Sequence, residues 1–260
     1  MKFALALVML IWTAGTALAD PARLRLGYAD IEVFPHQLGA STDVPADPGI
    51  AVELLQKGFA QAEIGLDLVR LPNRRVLDSL KTGEIDGAFL FSYNEERNRF
   101  AEYPRKNGEI DASRRLARQT YVLYKRADNP LGFDGELVAN LHSEIAANAG
   151  FSIADDLRHR GIPVLEVETT PLAFGMLLAG HVDGYAVMDT TGDPYLRMAG
   201  IGNVVKLPTP LSSKDYFLVF SRASGTANPA LAERIWDQLA RTRAAEEPAL
   251  ERKYLGLPPS

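Results

Sequence analysis

From residue 23 onward, short apolar and β-branched runs alternate with stretches whose apolar positions recur at helical spacing. The run RLRLG (23–27) is followed by GIAVELLQKGFAQA (49–62) and LDLVR (66–70), then by NRRVLDSLKTG (73–83) and DGAFLFS (86–92). After a polar, basic stretch the alternation resumes with TYVLYK (120–125), SEIAAN (143–148) and SIADDLRHRG (152–161). It continues through PVLEV (163–167), TPLAFGMLLAG (170–180) and DGYAVMD (183–189). Strands alternating with helices predict a parallel α/β sheet. The chain closes on YFLVFS (216–221) and an amphipathic helix with Leu231, Ile235 and Leu239 on one stripe.

One piece of this pattern occurs twice. Gly83, Asp86 and Gly87 in LKTGEIDGAFLFS reappear as Gly180, Asp183 and Gly184 in LLAGHVDGYAVMD, each 97 positions later. A polar residue, Ser92 or Asp189, stands nine places after the first Gly in each copy. Each copy begins as a helix with its own start signal, Asn73 after Pro72 and Thr170 before Pro171, so Asn73 and Thr170 are the expected caps. Gly83 and Gly180 sit where a helix commonly stops in the left-handed conformation that Gly takes cheaply. Two such units at matching offsets predict two similar lobes. Ligands of open α/β sheets bind outside the carboxyl ends of the strands, where Ser92 and Asp189 fall, so facing lobes would share one cleft.

Composition narrows the class. The 260 residues, 47% apolar, are ample for a core of one large or two modest domains. Lys2, the apolar run 3–12 and Ala17-Leu18-Ala19 predict a secretory signal peptide, residues 1–19, cleaved after Ala19. An exported, periplasmic protein is expected. There is no cysteine, which excludes disulfides, thiol chemistry and Cys-ligated metal. The net charge of −5 does not favour nucleic acid, and no aromatic and basic motif of RNA-binding type is present. His36, His142, His159 and His181 lack paired metal spacing, and Gly200-Ile201-Gly202 lacks the third glycine of a dinucleotide fingerprint. No cofactor and no metal are expected.

The order and spacing of several segments resemble the periplasmic solute-binding proteins of the polar-amino-acid ABC-transporter type, extracellular solute-binding family 3. The segments are VFPHQ (33–37), GIAVELL (49–55), P-x-x-R-x-x-x-x-L-x-x-G-E-I-D-G (72–87) and S-Y-N-E-E-R (92–97) followed by F-A-E-Y-P. G-F-S (150–152), G-H-V-D-G-Y-A-V-M-D (180–189) and K-Y-L-G (253–256) complete the set. The resemblance implies the type II periplasmic binding fold: two α/β lobes with a central cleft, joined by two crossover strands near 117–121 and 213–218. Lobe 1 would be discontinuous, 20–118 and 217–260, with lobe 2 at 119–216. It also implies roles. Arg97 matches the arginine that receives a ligand carboxylate, a task suited to the planar guanidinium fork. Ser92 would line the carboxylate side, and Ser152 matches the hydroxyl residue at a second-lobe helix start, where free amides attract an anion. Asp189 matches the acid that takes an α-ammonium group. Phe34 matches the aromatic that covers the ligand, with Tyr28 a further candidate.

Two positions depart from the amino-acid-binding pattern. Leu90 and Asn94 stand two places before and after Ser92, where such proteins carry a small polar residue and usually Thr. Leu90 cannot accept a proton from an ammonium group, so the carboxylate half of the site is better supported than the ammonium half. The basic residues Arg99, Arg105, Lys106, Arg114, Arg115 and Arg118 are expected as solvated surface or as a rim favouring anions. The expected function is capture of a small carboxylate-bearing solute by hinge closure and delivery to the membrane permease of an ABC importer, by a monomer without chemistry of its own. An accessory or sensor-linked role and a dehydratase of the same fold, with Asp189 or Glu144 as its acid, are the alternatives.

Overall fold

The strand–helix alternation is realised in a computed structural model that describes residues 23–39, 41–224 and 228–256. The signal peptide read from the sequence lies outside the described residues. The chain runs β1 (Arg23–Ala29), α1 (Ile50–Gln61), β2 (Gly65–Leu71), α2 (Asn73–Thr82), β3 (Gly87–Ser92) and α3 (Glu95–Asn98). Short strands β4 (Ala101–Glu102), β5 (Arg105–Lys106) and β6 (Glu109–Ile110) follow, then the long β7 (Ala117–Arg126). A small hairpin, β8 (Gly132–Phe133) and β9 (Val138–Ala139), precedes β10 (Ile145–Asn148), α4 (Ser152–His159), β11 (Val164–Val167) and α5 (Thr170–Ala179). The remainder is β12 (Gly184–Met188), α6 (Asp189–Met198), β13 (Val204–Lys206), β14 (Ser212–Ser221) and α7 (Pro229–Leu255).

Two parallel sheets flank two antiparallel strands. The order β11-β10-β12-β7-β14-β3-β1-β2 places β1, β2 and β3 on one side and β10, β11 and β12 on the other. The first halves of β7 and β14 pair with each other, Ala117 opposite Tyr216 through Tyr121 opposite Ser212. Beyond that stretch β7 joins β12, while β14 joins β3, so each long strand carries the chain from one lobe to the other. Each lobe has its own core. Leu24, Leu26, Phe59, Phe89, Leu218 and Trp236 fill the first, and Leu123, Ile145, Ile153, Leu157 and Ala186 part of the second. The stripe on α7 behaves as its spacing predicts: Ile235 and Leu239 are buried and Leu231 packs against the same cluster. Among the described residues no helix is long and apolar enough to cross a membrane.

The two helix ends of the repeat are left-handed glycines, Gly83 at φ 76° and Gly180 at φ 75°. The helix starts differ from expectation. Thr169, one place earlier than Thr170, accepts the Leu172 amide and caps α5. Thr170 is already helical and its hydroxyl is bonded to the Tyr185 hydroxyl. In α2 the cap position falls on Pro72, and Asn73 turns its side chain to the other lobe, donating to the Ala149 carbonyl at 3.1 Å. The helix after β12 was not foreseen either. Asp189 opens α6, and Gly192 lets it approach Tyr124: a Cβ there would lie 2.4 Å from the tyrosine ring.

Candidate functional site

The lobes meet at the carboxyl ends of β3 and β10. After Ser92, the Asn94 side chain accepts the Arg97 amide at 2.8 Å and starts the short α3, which folds Arg97 back beneath the strand. The buried Arg97 guanidinium donates to the Ser92 carbonyl at 3.1 Å, the Ser92 hydroxyl at 3.2 Å and, across the cleft, the Gly150 carbonyl at 2.8 Å. It lies 5.3 Å from the centre of the Phe91 ring, a cation–π arrangement that orients it further. The Tyr103 hydroxyl donates to the Ser92 carbonyl at 2.8 Å, fixing the strand end.

The opposite wall is the turn at 150–152. Gly150 has φ 73°, and a Cβ there would lie 2.7 Å from the Asn73 amide nitrogen, so this close approach needs glycine. Its amide donates to Glu166 at 2.8 Å, and the same carboxylate pairs with Arg158 of its own lobe at 2.7 Å and Arg74 of the other at 2.9 Å. Burial alone would raise the Glu166 carboxyl, but the Gly150 amide and the two arginines outweigh it and hold it below the usual range. Phe151 takes the cap position of α4, so Ser152 is its first helical residue, and it lines the cleft. The Ser92 hydroxyl donates to the Ser152 hydroxyl at 2.8 Å, and Lys214, on β14, donates to it at 2.9 Å. Lys214 also pairs with Asp156. Burial, aided by the Arg97 charge, pulls the Lys214 ammonium below its usual range despite that partner. Direct bridges between the lobes, Asn73 to Ala149, Arg74 to Glu166, Ser92 to Ser152, Asn94 to Asp155 and Arg97 to Gly150, define a closed cleft.

Beside a groove of about 230 Å³ lined by Arg74, Asn94, Arg97, Gly150, Asp155 and Glu166, two further cavities lie between the walls. The inner one, about 30 Å³, is lined by Arg97, Ser152 and Gln119 together with Leu90, Tyr121 and Tyr216. The outer one, about 600 Å³, is lined by Phe34, Pro72, Tyr195 and Met198 and by three acids, Asp30, Glu32 and Glu168. Asn73 borders both.

These positions sort the residues singled out in the sequence. Arg97, Ser92 and Ser152 come together in one hydrogen-bonded cluster. Phe34 lines the outer cavity, apart from them. Asp189 lines neither cavity: its carboxylate accepts the Thr190 amide at 2.7 Å, at the start of α6. Tyr28 belongs to the lobe 1 core, stacked on Phe89 at 4.7 Å with Arg70 over its ring, because its place on β1 points it inward. Leu90 borders the inner cavity. Three residues of the basic stretch are paired with acids. Arg114 pairs with Asp111, Glu233 and Asp237, and Arg115 and Arg118 both face Asp215. Gln119, Lys214, Asn73 and Glu166 were not foreseen as cleft residues. Nothing local marks the first two, since only the pairing of β7 with β14 sets Gln119 opposite Lys214 at the lobe junction. Among the described residues no cluster of His, Asp or Glu is arranged to hold a metal ion.

No family model and no curated protein sequence matches the chain. Its likeness to solved structures is one of fold. A histidine kinase sensor domain, described as similar to periplasmic binding proteins, has a TM-score of 0.72 at 19% identity over 92% of this chain and 99% of that one. The arginine-, lysine-, histidine-binding protein ArtJ from Geobacillus stearothermophilus gives 0.70 at 16% identity, over 92% and 97% of the two chains. The GluR0 ligand-binding core from Nostoc punctiforme, in complex with L-glutamate, gives 0.67 at 18% identity, over 90% and 100%. The chain has the type II periplasmic-binding-protein fold, two α/β lobes around a cleft joined by two crossover strands.

Proposed function

We propose that this chain is an exported binding protein that closes its two lobes on a small carboxylate-bearing solute, an amino acid or related organic acid, and passes it to the permease of an ABC importer. The observation that carries the reading is the buried Arg97, whose guanidinium reaches across the cleft to the Gly150 carbonyl. A ligand carboxylate is the stronger partner for that fork, because a charge-assisted pair outcompetes a neutral carbonyl. Ser92, Ser152 and the first amides of α4 converge on the same place and suit an anion. Closure would be driven by contacts that exist only when both walls are engaged, and the paired stretch of β7 and β14 is where the lobes would pivot. The chain would act as a monomer and carry out no chemistry. Of the two acids considered for a dehydratase, Glu144 is exposed on the loop before β10 and the Asp189 carboxylate accepts the Thr190 amide of its own helix.

Thermal unfolding of the mature protein against a panel of amino acids, dicarboxylates and aromatic acids tests this, with Arg97→Ala alongside. A ligand at 100 times its Kd adds about 2.7 kcal/mol, a shift of about 5–10 °C for a chain of this size. A shift that is lost in Arg97→Ala is the expected result; one that survives it places the carboxylate elsewhere. A sensory role is the second reading, favoured by the match to a histidine kinase sensor domain. A gene for a kinase beside this one, in place of permease and ATPase genes, would decide for it.

A further inference from the structure

Gln119 is 2% exposed and lines the inner cavity, yet neither its amide nitrogen nor its amide oxygen has a hydrogen-bond partner among the described residues. Buried polar side chains are nearly always paired, because leaving one unpaired in a low-dielectric interior costs stability. Gln119 stands in the middle of the stretch where β7 and β14 pair, opposite Lys214, so the surrounding backbone holds it in place. Arg97 and Ser152 line the same cavity, and no residue lining it carries a carboxylate. Leu90 closes the β3 side. It is the extra residue at the register shift between β3 and β14 and has φ 60°, a left-handed conformation that a branched side chain rarely adopts. Where an ammonium acceptor would be needed, a bulge presents an apolar group.

From these residues we infer that the solute is a small 2-hydroxy carboxylate and that Gln119 reads its hydroxyl, an inference that rests on the carboxylate site proposed above. The carboxylate faces Arg97 and accepts from the Gln119 amide nitrogen, while the 2-hydroxyl donates to the Gln119 amide oxygen. Both unpaired atoms of Gln119 are then satisfied by one ligand. A 2-amino acid fits less well: its ammonium would be buried near Arg97 with one neutral oxygen and no carboxylate to face it. A plain carboxylate leaves the Gln119 oxygen unpaired. The inner cavity, about 30 Å³, has room for about two waters. The ligand therefore enters as the Gly150 carbonyl leaves Arg97, and its carboxylate takes that place.

The test is calorimetric titration with matched triplets: lactate, alanine and propionate, then 2-hydroxyisovalerate, valine and isovalerate. In the wild-type protein the hydroxy acid is expected to bind about ten- to a hundredfold tighter than either partner, the usual effect of one buried hydrogen bond. In Gln119→Leu the hydroxy acid and the plain acid come within threefold of each other. In Gln119→Glu, which keeps the size and places a carboxylate in the cavity, preference moves to the amino acid; this variant also serves if Gln119→Leu does not fold. If the amino acid binds as tightly as the hydroxy acid in the wild type, or Gln119→Leu leaves the ratio unchanged, the inference is overturned while the carboxylate site stands. If no member binds, the inference falls, and the wider thermal panel with Arg97→Ala decides the carboxylate site separately.

Discussion

The two copies of the glycine–aspartate–glycine segment, 80–92 and 177–189, keep the same scaffold and end in different chemistry. In both, a left-handed glycine stops the helix and the aspartate pins a neighbouring segment. Asp86 accepts the Arg25 amide at 2.8 Å and the Ser224 hydroxyl at 2.5 Å. Asp183 accepts the Asn129 side chain and the amides of His142 and Ser143. The second glycine of each copy is crowded. A Cβ on Gly87 would lie 2.6 Å from the Val219 carbonyl, and one on Gly184 would lie 2.9 Å from three side-chain methyl groups. Beyond these positions the copies part. Ser92 is buried in a cluster with Arg97, Tyr103 and Ser152, whereas Asp189 becomes the first residue of a helix and satisfies its own neighbour. The repeated part is what any helix–turn–strand unit needs, and the residues proposed to bind the solute come after it.

The comparison breaks most visibly at the two polar ends. Arg97→Ala removes one partner of a desolvated charge pair and is expected to cost about 3–5 kcal/mol of binding, or about two to four decades in Kd. Asp189→Asn is expected to change Kd less than threefold. Equal losses from both variants, measured by titration, would mean that both copies supply the ligand.

Acid should separate the lobes next. His36, in lobe 1, has its Nδ1 buried without a partner among the described residues, and burial pulls its pKa down to about 4. The unfolded chain, with an ordinary histidine value of 6.5, binds the proton first, so stability falls as pH drops from about 6.5 to 4. The loss is at most about 3–4 kcal/mol, at 1.36 kcal/mol per pKa unit. Denaturant titrations across that window should show the slope in the wild-type protein and a flatter curve in His36→Leu.

Crowding at the second glycine sharpens the comparison. Gly87→Ala meets a backbone carbonyl that cannot move without shifting β14, and is expected to cost about 2–3 kcal/mol. Gly184→Ala meets the tips of Ile145, Leu123 and Leu131, which can turn aside, and should cost about 1 kcal/mol. Chemical denaturation midpoints give the order; a reversed order would mean that lobe 2 is the more rigid.

The smallest effect is at the aspartates. Asp183→Ala should cost about 1 kcal/mol at neutral pH, as loss of a cap does. Burial alone would raise the Asp183 carboxyl, but the His142 and Ser143 amides and the Asn129 side chain outweigh it and hold it below the ordinary 3.8. Its contribution is present above that value and is lost as pH falls through the lowered native value, so the stabilities of wild type and Asp183→Ala should draw together in acid. A constant gap would assign the loss to packing.

The fold was legible because its signals are local. Period-2 and period-3.6 apolar patterns, the stop at Gly83 and Gly180 and the duplication itself each depend on a few adjacent residues, and the motif around Arg97 stands within six positions of Ser92. Other features were misread where a tertiary contact outbid a local one. Asn73 is a good cap by type, but Ala149 offers its amide a partner across the cleft. Tyr28 stands beside the cleft in sequence terms, yet the side-chain alternation of β1 turns it into the core.

By itself, then, the sequence determined the strand–helix alternation and the duplicated unit, since backbone propensity and short-range spacing suffice for each, while Ser92 and Arg97 were singled out through the resemblance carried by the motif around them. Only the tertiary structure decided that Gln119 and Lys214 face each other on the crossovers and that Asp189 turns to its own helix. It alone set Phe34 in the outer cavity, apart from Arg97 in the inner one. Those relations join residues as many as 95 positions apart, Gln119 opposite Lys214 among them. They arise from strand pairing and lobe closure, which leave no mark on the neighbours of either residue.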